Sequence, residues 1–168
     1  VGHSNRSFDE FLELLRRFEI ELLADVRRYP GSRRFPHFNR QALCGLLEQA
    51  GVGYVWLEAL GGRRHGAPDP SSPNGGLRSA GFRNYADRML ADEFQAAVRR
   101  LLTRAARERT AVMCAERLYW KCHRRLLSDC LLAHGAEVSH IVELDRVCEH
   151  RLTNGALIKG PGIVVYPP

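Results

Sequence analysis

The chain has 168 residues, of which 45% are hydrophobic and 26% charged, the balance of an ordinary soluble globular protein forming one domain. Its formal charge is +6, and no window approaches the length of a membrane span, which excludes a membrane-embedded role. Five cysteines (Cys44, Cys114, Cys122, Cys130, Cys148) are odd in number, scattered and without a CxxC pair, which excludes a disulfide framework and a zinc ribbon and suits a reduced, cytoplasmic compartment.

In chain order, residues 1–3 read as a strand stub. No charged-then-apolar leader is read at the start, and the strand opens as if cut short, so the expectation is that a few residues are missing upstream. Ser7 and Glu10 form a capping box, and Phe8, Phe11, Leu12, Leu15 and Phe18 follow at helical spacing. Residues 20–26 are a short apolar run, read as a buried strand. Asn39 can cap a helix through about Gln49, which Gly51 stops. Residues 52–57 are the next strand. Residues 60–80 form a long Gly/Pro/Ser-rich loop, a length that is often functional. A short amphipathic helix at 82–89 follows, then one that Asp92 caps and that runs to about Arg107. Residues 110–115 read as a strand, 122–134 as a helix stopped by Gly135, and 136–142 as another strand. Residues 144–168 look like a less regular extension, with a β-like run at 163–166. There are no internal repeats. The alternation predicts a single α/β domain. The expected architecture is a three-layer sandwich with a mostly parallel sheet, Rossmann-like or flavodoxin-like.

Such a sheet binds ligands beyond the carboxyl ends of its strands. The polar residues collect there. His3, Asn5 and Arg6 follow the stub. Asp25 and Arg27, then Arg33, follow the second strand. Gly61, Gly62 and Arg63 follow the third, and Cys114 and Glu116 the fourth. Cys122, His123 and Arg124 open the next helix.

Each has a plain and a chemical reading. Glu116 is either an acid favoured by a helix dipole or, beside a buried strand, a desolvated carboxylate suited to acid/base or nucleophilic work. Asp25 is either a second carboxylate or the partner of Arg27 or Arg6. Cys114 is either a small buried hydrophobe or reactive. Cys122 lies near a helix N-terminus beside Lys121, His123 and Arg124, a setting that lowers a thiol pKa. Cys114, Cys122 and His123 could instead ligate a metal, but the spacing is not a recognised one. His123 and Arg124 at a helix start could bind an anion. Of two further histidines, His3 is favoured as functional and His140 is not. Tyr85, Trp120, Tyr119 and Phe82 either pack or stack on an extruded base.

Twenty-three of the 25 basic residues are Arg, whose planar fork matches phosphate. A GC-rich coding bias is the plain explanation. Distribution argues for more: Arg27, Arg28, Arg33, Arg34 and Arg40 share a window without an acid. Arg63, Arg64, Arg78, Arg83 and Arg88 follow with only Asp69 and Asp87 among them. A basic, loop-borne patch fits a polyanionic partner.

Several motifs in one order carry a resemblance. They are the run from Gly2 to Ser7; Asp25-Val26-Arg27 with Pro30, Ser32 and Pro36-His37-Phe38; Leu60-Gly61-Gly62; the stretch 82–89; and Cys114-Ala115-Glu116 with Cys122-His123-Arg124. With these the chain resembles the family catalogued as domain of unknown function 488, from about residue 2 to residue 142. The resemblance implies a small α/β protein of bacterial or archaeal style with polar motif residues at strand ends. It implies Asp25, Arg27, Cys114, Glu116, Cys122, His123 and Arg124 as site residues, without a reaction.

The expected function is an enzyme acting on nucleic acid, DNA or RNA, or on a phosphorylated substrate. Its most concrete form is hydrolysis of an N-glycosidic bond to a modified or damaged base. Glu116 would be nucleophile or general base, with Asp25 orienting water or stabilising the cationic sugar. Arg6, Arg27, Arg33 and Arg63 would hold phosphate, with no metal or other cofactor required. Two alternatives stay open: sulfur transfer or redox work by Cys122 with Cys114 and His123, and a non-catalytic nucleic-acid-binding module.

Overall fold

A computed structural model describes residues 1–63 and 66–168; Arg64, one of the arginines noted above, lies outside the described residues. The first helix, α1 (Phe8–Arg17), starts where the capping box predicts. The Glu10 amide donates to Ser7 Oγ at 3.2 Å, and the Ser7 amide donates to Glu10 Oε2 at 2.7 Å. Such caps stabilise a helix by about 1 kcal/mol and fix its entry point.

The strand β1 (Leu22–Asp25) is buried along its whole length. It is the middle strand of a parallel sheet, which explains a continuous apolar run rather than an alternating one. Helix α2 (Arg40–Gln49) leads to β2 (Gly53–Trp56), which lies on one side of β1 with Leu23 opposite Tyr54. Helices α3 (Ala80–Met89) and α4 (Asp92–Ala105) lead to β3 (Thr110–Met113), on the other side with Leu23 opposite Ala111. Gly2 forms one further parallel bridge to Cys114, so the N-terminal segment flanks β3. Helix α5 (Arg124–Ala133) follows.

Successive strand residues face opposite sides, and each side has its own core. Leu23, Ala111 and Met113 meet Phe11 and Leu15 of α1 and Leu43 and Leu47 of α2. Ala24, Val26 and Cys114 meet Tyr85 of α3, Phe94 and Val98 of α4, and Leu126 and Cys130 of α5. The architecture is the expected α/β one, with helices on both faces of a parallel sheet.

Two expectations change. The run at 136–142 does not join the parallel sheet. Its strand, β4 (Ser139–Glu143), pairs antiparallel with β5 (Arg146–Glu149). Only Leu144 and Asp145 separate these strands, too short a link for a parallel return. The tail is also more regular than expected, since β6 (Leu157–Gly160) and β7 (Ile163–Val165) form a second antiparallel pair. Among the described residues the parallel sheet therefore has three strands, and the other named strands form two hairpins.

The loop after β2 is pinned at its far end. Asn74 is buried, donates to Asp87 Oδ1 at 2.7 Å and accepts the Tyr166 amide at 3.0 Å. Beneath it, Asp129 accepts from His150 at 2.9 Å and from the Tyr166 hydroxyl at 2.7 Å. His140 lies 3.0 Å from His150 and stacks on Tyr119, so it belongs to this buried polar network. No described helix is long and apolar enough to cross a membrane.

Candidate active site

The carboxyl ends of β1, β2 and β3 and of the N-terminal segment open into one cleft of about 740 Å³. Of the residues expected at the site, His3, Arg27, Gly62, Arg63, Tyr85, Cys114, Glu116, Cys122 and His123 line it. Arg28, Tyr29, Phe35, Phe82 and Lys121 line it as well. Arg28 and Tyr29 directly follow the Asp25-Val26-Arg27 motif, and that adjacency is the signal in the sequence that could have placed them.

At the centre is a triangle of two thiols and an imidazole. His123 Nδ1 lies 3.5 Å from Cys122 Sγ and 3.8 Å from Cys114 Sγ. His123 Nε2 lies 3.0 Å from the Val26 carbonyl, an acceptor only, so Nε2 carries the proton and Nδ1 presents its lone pair to the sulfurs. The ring is wedged between Tyr85, 5.1 Å away, and Gly62. A Cβ on Gly62 would stand 2.6 Å from Nδ1, so only glycine fits there. A Cβ on Gly61 would meet the Arg28 backbone at 2.7 Å. The Gly61-Gly62 pair is thus a close approach of two loops. Gly61 faces Arg28 and is not itself a cleft-lining residue.

The triangle is electrostatically uneven. The Cys114 thiol donates toward Cys122 and holds it well below the ordinary thiol range, helped by Arg124 against the cost of burial. Cys114, the donor, is pushed well above that range by the same bond and by burial. Arg124 donates to Cys122 Sγ through its amide and its Nε, each at 3.5 Å. Its Nη2 reaches the Glu116 carbonyl. Arg124 is buried and sits under the site, where it fixes the thiolate and the 116 backbone rather than offering a free fork to an anion.

His3 is buried against Phe38, with ring centroids 4.1 Å apart. Its Nε2 accepts from Arg27 Nη1 at 3.2 Å, and its Nδ1 donates to the Ser4 carbonyl at 3.0 Å. Burial, then Arg27, lower its pKa to about 4, so it is neutral at pH 7.

The paired-carboxylate arrangement is not what the geometry provides. Asp25 is fully buried beneath the cleft and is not among the residues that line it. Its two oxygens accept from the Arg27 amide at 2.9 Å, from Arg27 Nη2 at 2.6 Å and from the Tyr54 hydroxyl at 2.8 Å. It therefore holds Arg27, the plain reading of this residue. Glu116 does line the cleft, but its side chain is exposed rather than desolvated.

Four more expected residues stand elsewhere. Arg6 is buried and donates to the Gly2 and Val142 carbonyls at 2.6 and 2.7 Å, which clamps the N-terminal segment to β4. Asn5 is exposed and accepts from Ser4 Oγ at 3.2 Å, outside the cleft. Arg33 is exposed on the loop before α2, and Trp120 packs edge-on against Tyr119; neither lines the cleft. Tyr85 lines it as a buried buttress, with its hydroxyl donating to the Leu60 carbonyl at 2.9 Å. The aromatic surface left for stacking on a ligand is Tyr29, Phe35 and Phe82.

Residues 7–131 match the family described as domain of unknown function DUF488, and the chain belongs to that family. No curated protein and no solved structure matches the chain.

Proposed function

We propose that this member of the DUF488 family hydrolyses an N-glycosidic bond in a nucleotide or nucleic-acid substrate bound across the cleft. One observation carries the reading: Glu116 shares the cleft with Arg27, Arg28, Arg63 and Lys121 and with the rings of Tyr29, Phe35 and Phe82. Cations suit the phosphate, aromatic faces suit a base, and a carboxylate between them suits the sugar–base bond.

In this scheme Glu116 takes the proton of a water that attacks the anomeric carbon. Lys121 donates a hydrogen bond to the departing base. Arg63 and Arg28 meet the phosphate, and Arg27, locked by Asp25, keeps a fixed positive charge at the cleft wall. Asp25 acts only through Arg27. The cytoplasm is the compartment proposed, since the five cysteines are all free.

The test is a turnover screen on single- and double-stranded oligonucleotides carrying modified bases, with free bases and abasic sites read by mass spectrometry. Base release that vanishes in Glu116→Gln supports the reading. Release that persists in that variant sinks it.

A second reading has its own observation. The Arg124 amide, the Arg124 Nε and the Cys114 thiol all donate toward Cys122 and describe a stabilised thiolate, and such a group is a nucleophile. It predicts that Cys122 is alkylated at a rate nearly flat in pH above 6. A rate that climbs tenfold per pH unit toward the ordinary thiol range would remove this alternative.

A further inference from the structure

The geometry points to a zinc-class divalent cation held by Cys114 Sγ, Cys122 Sγ and His123 Nδ1, with its fourth coordination position open to the cleft. The three donor atoms lie within 4.8 Å of one another. In a tetrahedral site with Zn–S about 2.3 Å and Zn–N about 2.0–2.1 Å, sulfur and nitrogen stand about 3.6 Å apart. The observed separations, 3.5 and 3.8 Å, bracket that value without any side chain having to move far.

The surroundings fit as well. The ring nitrogen opposite the metal-facing one is bound to the Val26 carbonyl, the arrangement that fixes the tautomer and aim of a metal-bound histidine. Gly62 and Tyr85 hold the ring from two sides. Arg124 donates to the Cys122 sulfur, which stabilises a ligand that must be an anion. Two thiolates and an imidazole are a soft donor set, which selects zinc-like ions over magnesium or calcium.

Three protein ligands with an open position are the mark of a catalytic rather than a structural zinc site. All three ligands line the cleft, so the open position faces the substrate space that Glu116 shares. A water bound there loses a proton far more readily than bulk water. This inference goes beyond the hydrolase reading and holds whichever bond is broken. Under that reading the ion would supply the water, and Glu116 in the same cleft would take its proton. The spacing escapes familiar patterns because one ligand comes from a strand end and two adjacent ligands come from a helix start.

The test is spectroscopic and does not need turnover. Reduced, metal-stripped full-length protein is titrated with cobalt(II). The expected result is one ion per chain, with sulfur-to-cobalt charge-transfer absorption and the intense visible bands of a tetrahedral site, all displaced by equimolar zinc. Cys114→Ser and Cys122→Ser each cut the charge-transfer intensity to about half or less and weaken binding by more than about 100-fold. Cys148→Ser, in strand β5 and not among the three ligands, leaves the signal intact. Cobalt that binds without thiolate absorption, a signal unchanged in the Cys114 and Cys122 variants, or no stoichiometric binding would each overturn the proposal. The wild-type spectrum decides even if a variant fails to fold. Because no substrate is involved, a failed base-release screen leaves this result standing.

Discussion

Asp25 grips Arg27 with both carboxylate oxygens, the closest contact being 2.6 Å, and neither partner is more than 6% exposed. The carboxylate is further satisfied by the Arg27 amide and by Tyr54, so no lone pair is left over for a substrate. Removing one side of a buried pair strands the other charge. Asp25→Ala should therefore cost about 3–5 kcal/mol, seen as a lower denaturant midpoint. Tyr54→Phe, which removes one hydrogen bond, should cost about 1 kcal/mol. For comparison, the exposed pair Arg109–Glu19 should give less than about 1 kcal/mol. A fully stable Asp25→Ala that had lost turnover would return Asp25 to catalysis.

Acid should destabilise the fold earlier than its carboxylates alone require. Burial, then Arg27, lower the pKa of His3 from 6.5 to about 4; burial, then His150, lower that of His140 from 6.5 to about 3. Both are neutral when folded and take up a proton when unfolded below pH 6.5. Their stabilising effect is complete above pH 6.5 and is lost as pH falls toward 4 and then 3, amounting to at most about 3 kcal/mol for His3 and somewhat more for His140. The check is the unfolding midpoint against pH. His3→Gln should flatten the profile between pH 6.5 and 4, and an unchanged slope would count against the assignment.

Gly62 should tolerate no side chain. Gly62→Ala drives a methyl group into the His123 ring, which is already held by Val26 and Tyr85. The expected cost is about 1–3 kcal/mol of stability. The diagnostic effect is a loss of the cobalt absorption, since Nδ1 is what the methyl group displaces. Gly45, with open space beside it, should accept alanine without either effect.

Binding of a single-stranded oligonucleotide should weaken steeply with salt, because each neutralised phosphate releases a counterion. Arg28→Ala and Arg63→Ala should each lower the log–log slope by about 0.7. Arg6→Ala should leave that slope alone and instead loosen the N-terminal segment, since its guanidinium is spent on Gly2, Val142 and Glu143. Equal slopes in all three variants would remove the cleft as the phosphate site.

The sequence made the layers and the rim legible because both follow from local pattern. Leu22, Leu23 and Ala24 form an unbroken apolar run because β1 is covered on both faces. The Ser7–Glu10 box is a four-residue signal that works without its neighbours. Cys114, Cys122 and His123 could be grouped because they flank one strand-to-helix turn. What stayed hidden depended on long-range partners. The saturation of Asp25 needs Tyr54, 29 positions away, and the burial of Arg6 needs Val142, 136 away. Strands β5 and β6 were missed because they are short and mostly exposed, with little apolar alternation to read.

The most direct test of the account is a single turnover in ¹⁸O-labelled water, with the sugar product and the intact protein weighed by mass spectrometry. An N-glycosidic hydrolase acting through a water beside Glu116 predicts one ¹⁸O in the released sugar, an unmodified protein, and no product from Glu116→Gln. A sugar adduct on Cys122, or release that Glu116→Gln leaves untouched, would contradict it.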